Sequence, residues 1–218
     1  MGICKNKIII TLQLKLKLFF YNRFKHISIQ CGTNCNISNF KLQSCGKGNK
    51  IILGENVYLR DVTISIFGNN NHIAIHSNNN LSNIRFAMED DDNEIEIGRH
   101  NFIGTGSLLA ALEGTKIKIG SDCMIASPCE IRTSDSHSIL DSDGNRINYA
   151  KDITIDDHVW IGMGCLILKG THVPSDCVVA AKSIVCAAAS LKKGTLLGGG
   201  PAKVLRENIN WNHKRLKQ

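Results

Sequence analysis

The sequence predicts an all-β solenoid, a coil of short parallel strands joined by tight turns. Three observations predict it. Residues 40–127 repeat an apolar pattern every twenty-two residues, and residues 119–185 repeat one every six. A polar stretch, "TSDSHSILDSDGNRINYAKD" (133–152), interrupts the second pattern. A period of six matches neither a helix, at 3.6 residues, nor a lone amphipathic strand. A repeat sustained over about a hundred residues marks a stack in which each unit buries its apolar side against the next.

Residues 1–26 come before the repeats. They contain "IIITLQLKLKLFF" (8–20), an apolar run broken by Lys15 and Lys17, with no small-residue cleavage site after it. This predicts an N-terminal amphipathic segment packed on the body rather than a signal peptide. Weak association with a membrane surface is the alternative. No run of eighteen apolar residues points to a spanning helix. Of the 218 residues, 43% are apolar and 21% charged, with a net charge of +7. An excess of positive charge suits an anionic partner. The basic residues are scattered, with no run of five, which argues against nucleic acid.

The solenoid is predicted over 27–186. In four blocks, 40–61, 62–83, 84–105 and 106–127, Leu42, Ile64, Phe86 and Leu108 correspond. So do Ile51, Ile73, Ile95 and Ile117, and so do Leu59, Leu81, Ile103 and Ile125. Asn49, Asn71 and Asn93 share a turn column. The hexads open on Ile119, Ile125 and Ile131, then on Ile155, Ile161, Ile167, Val173, Val179 and Val185. Four places on stands a small residue, such as Cys123, Cys129, Cys165 or Cys177. The aliphatic side chain points inward and the small one fits the corner.

That pattern accounts for most of the nine cysteines. Their number is odd and no CxxC occurs. Cys31, Cys35, Cys123, Cys129, Cys165 and Cys177 sit at inward or corner positions, where free cysteine acts as a small hydrophobe. Buried thiols in a reducing cytoplasm are expected, and no metal. His72, His76 and His100 form the one histidine cluster to consider, and His76 and His100 do not share a repeat column.

The hexads "IGSDCM", "VWIGMGCLILKG" and "VPSDCVVAAKSIV" resemble the repeat of the hexapeptide-repeat acyltransferases. "LGGGPAKVLREN" resembles the segment that closes their coil. "DSHSI…DGNRINYAKDI" resembles the catalytic loop of the O-acetyltransferase branch. The order of these motifs most resembles bacterial polysaccharide and polysialic-acid O-acetyltransferases. The resemblance spans about residues 27–211 and is specific from about 119 onward. It implies a left-handed parallel β-helix, with the loop 133–152 overhanging an otherwise flat wall. A closing segment, 187–218, is expected to include a short helix after Pro201.

The resemblance also implies acetyl-CoA as donor, a polysaccharide or other sugar as acceptor, and a homotrimer. Acetyl transfer requires the attacking hydroxyl to lose a proton, which a neutral imidazole can take. His137 is the expected general base. Asp135 could orient its ring or cap a turn. His158, in "DHVW", is read as structural. Trp160 lies near the reacting groups by resemblance, or packs at a subunit interface. Gly162, Met163, Ala181 and Ala187 are expected along the pantetheine arm. Lys203 and Arg206 are expected at the nucleotide phosphates, on one helix face. Arg146 and Asn148 contact the acceptor or build the turn. Trp211 anchors the C-terminal segment. An upstream asparagine of the galactoside and maltose acetyltransferases finds no placed counterpart in "NFIGTG" (101–106). The alternatives are N-acetyl transfer, small-sugar or serine acetylation on the same fold, and a non-catalytic solenoid.

Overall fold

The computed structural model describes residues 27–187 and 191–216. The amphipathic segment expected over 1–26 lies outside them. Among the described residues there is no helix, so none is long and apolar enough to cross a membrane.

The strands form three parallel sheets, the faces of a triangular prism. Face A runs from Ile27–Cys31 to His172–Val173 in seven strands. Face B starts at Asn36–Ser38 and includes Phe102–Ile103, Trp160–Ile161 and Val178–Val179. Face C runs from Lys41–Cys45 to Ile184–Val185 in seven strands. Each coil gives one strand to A, B and C in turn, so seven full coils stack. Successive coils rise by about 4.8 Å, the spacing of paired strands.

Inward residues stack on their own kind. Ile51, Ile73, Ile95, Ile117 and Ile153 form one column on face A. Ile125, Ile161 and Val179 form one on face B. All are at most 1% exposed. One coil alone has no second layer to bury this surface against, so stability comes from stacking. Cys123, Cys129, Cys165 and Cys177 are buried free thiols at the corners, while Cys45 and Cys186 are exposed. Burial pushes the Cys123 thiol up to about 12.

The early coils are four residues longer than the later ones, and the excess sits at the corner from C to A. Asn49, Asn71 and Asn93 line that corner from inside, each at most 1% exposed. The Asn71 and Asn93 amides donate to the side-chain oxygens of Asn49 and Asn71, at 2.9 and 3.0 Å. The Thr115 amide donates to Asn93 Oδ1 at 3.1 Å, and the Thr115 and Thr133 hydroxyls lie 2.6 Å apart. The ladder satisfies buried backbone donors and ends at the first residue of the loop.

Two expectations are corrected. Leu109, not Leu108, pairs with Phe86 and points inward; Leu108 pairs with Arg85 on the outside. Ile103 to Leu109 is six residues, whereas Leu81 to Phe86 is five, so the turn at 104–107 carries one more residue and shifts the register. The expected C-terminal helix is absent. Leu196–Gly199 adds to face B, and Ala202–Arg206 returns antiparallel beside it. The Gly198–Gly200 turn, with φ +103 at Gly199, lets the chain reverse. The last coil leaves an open strand edge, and the returning strand pairs with it.

Candidate functional site

The loop 133–152 is a braced hairpin. Thr133 and Ser134 are buried in the wall, and the Lys151 amide donates to the Thr133 carbonyl at 3.0 Å, closing the base. The Ile147 amide donates to the Ile139 carbonyl at 2.9 Å. Asp141 caps the tip by accepting from the amides of Asp143 and Asn145 at 3.0 and 2.8 Å, and Gly144 takes φ +84 there.

Two coils hold this hairpin from above and below. From above, Glu113 receives the Arg146 guanidinium at 2.6 and 2.9 Å and accepts from the Ser134 hydroxyl. Arg146, and then Ser134, hold the Glu113 carboxyl below the usual range. From below, the Lys169 ammonium bonds the Asp135 carboxylate and, at 2.9 Å, the Asn148 carbonyl. Lys169, and then Asn148, lower the pKa of Asp135. Asn148 sits between the two clamps. Its amide nitrogen donates to Asp135 at 2.7 Å and to the His137 carbonyl at 2.8 Å, and its oxygen accepts from the Ile139 amide at 2.7 Å.

His137 is thus held by its backbone while its ring is exposed and makes no hydrogen bond among the described residues. Asp135 is committed to Lys169 and Asn148, so it does not orient that ring. Arg146 and Asn148 are committed to the loop itself. Sequence reasoning missed Glu113, Ser134 and Lys169. The available signal was slight: Glu113 stands in "LEGT" (112–115), where the asparagine column gives way to Thr115, and Lys169 stands in the "ILKG" motif without a stated role.

Trp160 lies on face B, 37% exposed, between Met124 and Val178. The C-terminal segment folds against it. Trp211 stacks on His158 with centroids 4.5 Å apart, and its indole nitrogen donates to the His158 carbonyl at 2.8 Å. Trp160 and Trp211 lie 5.9 Å apart at 43°. His158 Nδ1 is 2.7 Å from Asp176 Oδ1. Loop and tryptophan stand apart: the loop leaves the corner from C to A, which in a triangular prism is opposite face B.

Of the residues expected along the donor, Gly162, Met163 and Ala181 share the corner from B to C. A Cβ at Gly162 would lie 2.6 Å from the Ala181 nitrogen, so glycine is what lets the coils close there. Ala187 is not with them; it adjoins Gly170 at the corner from C to A. Lys203 and Arg206 are on the returning strand rather than a helix. In a regular strand, residues three apart face opposite sides. Here Lys203 pairs with Gly198 and Arg206 with Leu196, two positions apart, so the bulge at this point puts both on one face.

No protein-family model matches the chain. The polysialic acid O-acetyltransferase of Neisseria meningitidis is 36% identical over 113 residues, 51% of this chain and 52% of that protein. The polysialic acid O-acetyltransferase of Escherichia coli O1:K1 / APEC is 36% identical over 121 residues, 52% of this chain and 36% of that protein. The chain therefore spans about half the length, or less, of these curated relatives. The crystal structure of the polySia specific acetyltransferase NeuO matches with a TM-score of 0.71 and 31% identity, over 87% of this chain and 90% of that one. Sequence and fold agree along nearly the whole NeuO chain, and the stacked hexads are the repeat itself: this protein belongs to the hexapeptide-repeat acetyltransferases, the left-handed β-helix family that holds the polysialic acid O-acetyltransferases.

Proposed function

We propose that the protein transfers an acetyl group from acetyl-CoA to a hydroxyl of a bacterial surface polysaccharide. The observation that carries this is the braced loop. Two clamps and Asn148 fix the backbone at His137 and leave its imidazole free. A base on a rigid support loses little orientation when the acceptor arrives. The relatives named as polysialic acid O-acetyltransferases supply the chemical class.

The imidazole takes the hydroxyl proton as the oxygen attacks the thioester carbonyl. The tetrahedral oxyanion collapses, the carbon–sulfur bond breaks, and the proton passes to the leaving thiolate. The products are an acetyl ester and free coenzyme A. Gly162, Met163 and Ala181 offer a close-packed turn wall for the amide-rich pantetheine arm. Lys203 and Arg206, on one face, suit the anionic nucleotide end. His137 and Trp160 stand on opposite sides of one prism, so they share an acceptor only across two copies. The working unit is then a homotrimer in which the loop of one copy reaches face B of the next.

The test is purified protein with acetyl-CoA against polysialic acid, capsule and O-antigen oligosaccharides, followed by mass spectrometry. A product heavier by one acetyl group is expected, and its absence across the panel overturns the activity. A stable monomer by light scattering overturns the shared site.

A further inference from the structure

Face B carries an outward column with an unusual composition. Its successive members are Tyr58, Asn80, Phe102, Met124 and Trp160, paired rung by rung. The inward neighbours Leu59, Leu81, Ile103, Ile125 and Ile161 are at most 1% exposed, which leaves this column facing out. Tyr58, Phe102 and Trp160 are 49%, 51% and 37% exposed. An aromatic ring recurs on every second coil, about 9.5 Å apart by the strand spacing. Exposed rings in a line are not needed to close the coil, whose core is already filled by aliphatics. A line of exposed aromatic rings, interrupted by Asn80 and joined by Met124, marks an interaction surface.

Beside the rings lies a polar wall. Along the corner from B to C, coils 1 to 4 form an open cleft of about 480 Å³. Lys41 and Arg60 bring two positive charges to it against the one negative charge of Asp61, which is itself bonded by Asn39, and Thr63, Ser82, Asn83 and Thr105 bring hydrogen-bonding groups. Arg60 is two residues from Tyr58 on the same strand, so cation and ring project from the same face of the sheet. Arg60 Nε donates to Ser82 at 3.1 Å and lies 3.9 Å from the Asp61 carboxylate, and its side chain is 70% exposed. Lys41 makes no ion pair among the described residues.

We infer that face B, from Tyr58 to Trp160, is a track that binds an acidic polysaccharide chain and feeds it to the acetyl-transfer site. The inference rests on the proposed activity and adds where the rest of the polymer lies. Aromatic rings pack against the apolar faces of sugar rings, and the cleft supplies cations for carboxylates and partners for hydroxyls. The interval between aromatic rings is comparable to two linked pyranoses, so alternate sugars of an extended chain meet a platform. The track is continuous with the site because Trp160 is its last ring.

The experiment uses the full chain, with polysialic acid of graded length as probe, in an equilibrium titration at low salt. Y58A/F102A should lose at least about tenfold in affinity for long chains, with the loss fading as the chain shortens to a few sugars. Arg60→Gln should flatten the salt dependence for long chains, because it removes an exposed charge contact. Unchanged affinity of Y58A/F102A for long chains overturns the track. So does a smaller assembly of that variant by light scattering, since face B at coils 2 to 4 would then be covered by a second copy. If the double variant does not fold, Arg60→Gln decides alone, and an unchanged salt slope overturns the inference. Wild-type protein that binds polymer in this length-dependent way but forms no ester leaves the track standing and removes the activity.

Discussion

Arg146 holds Glu113 with two parallel hydrogen bonds, 2.6 and 2.9 Å long, across thirty-three residues of chain. Both side chains are about three-quarters shielded, at 23% and 24% exposure. The pair ties the tip half of the hairpin to the coil above. Glu113→Gln should loosen residues 139–147 and leave the stacked core intact, at a cost of about 1–2 kcal/mol in local stability. Hydrogen exchange that speeds up in the loop amides alone is the expected result. Protection equal to wild type would show that the brace is dispensable.

The acid sensitivity of the loop follows from the same carboxylates. Glu113 and Asp135 both have folded-state values below their ordinary ones, through Arg146 and Lys169 respectively. A depressed carboxylate contributes stability that is fully present above its unfolded value and lost as pH falls through the folded one. The ordinary values are about 4.3 and 3.9, so the loop should stay braced down to about pH 4 and loosen below it. Limited proteolysis across that range checks this, with cleavage expected between 135 and 148 first. Uniform cleavage of coil and loop would contradict it.

His137→Ala should keep the fold and the affinity for acetyl-CoA, because the ring is outside the core and makes no hydrogen bond among the described residues. Its turnover should fall by at least about a hundredfold, the usual cost of removing a general base. Steady-state rates with a polysaccharide acceptor measure this. Near-normal turnover would reduce the loop to architecture.

Lys203 and Arg206 share one face of the returning strand. Changing both to alanine should weaken acetyl-CoA binding and reduce its salt dependence, since exposed charge contacts are screened. A titration at two salt concentrations reads both effects. Wild-type binding would place the nucleotide elsewhere.

Gly162→Ala should separate coils 6 and 7, because the new methyl group meets the Ala181 nitrogen and the Val179 oxygen, both backbone atoms. Overpacking of this kind costs about 1–3 kcal/mol. Thermal unfolding should fall by about 2–10 °C. An unchanged midpoint would mean that the corner has slack, and a pantetheine wall there would then be less closely packed than proposed.

The repeats alone pointed to the solenoid and to its main inward columns, that of Ile51, Ile73, Ile95 and Ile117 and that of Leu59, Leu81, Ile103 and Ile125. That is because a parallel stack with a constant coil length writes its register into the chain at a fixed interval, and Ile117 over Ile95 is legible without coordinates. The loop was legible for the opposite reason: it breaks the interval, and His137 was singled out within it by the resemblance alone. Tertiary structure decided what the interval cannot carry. One extra residue at 104–107 moved Leu109 into the column expected for Leu108. The open edge of the last coil drew Ala202–Arg206 into a strand where proline and spacing suggested a helix. Glu113 and Lys169 became clamps only because coils far apart in sequence stack above and below one loop. The placing of His137 opposite Trp160, and the alignment of Tyr58 and Phe102 with that tryptophan, depend on how the coil closes into a prism. Local pattern sets which way a side chain points, but closure sets which distant side chains it meets.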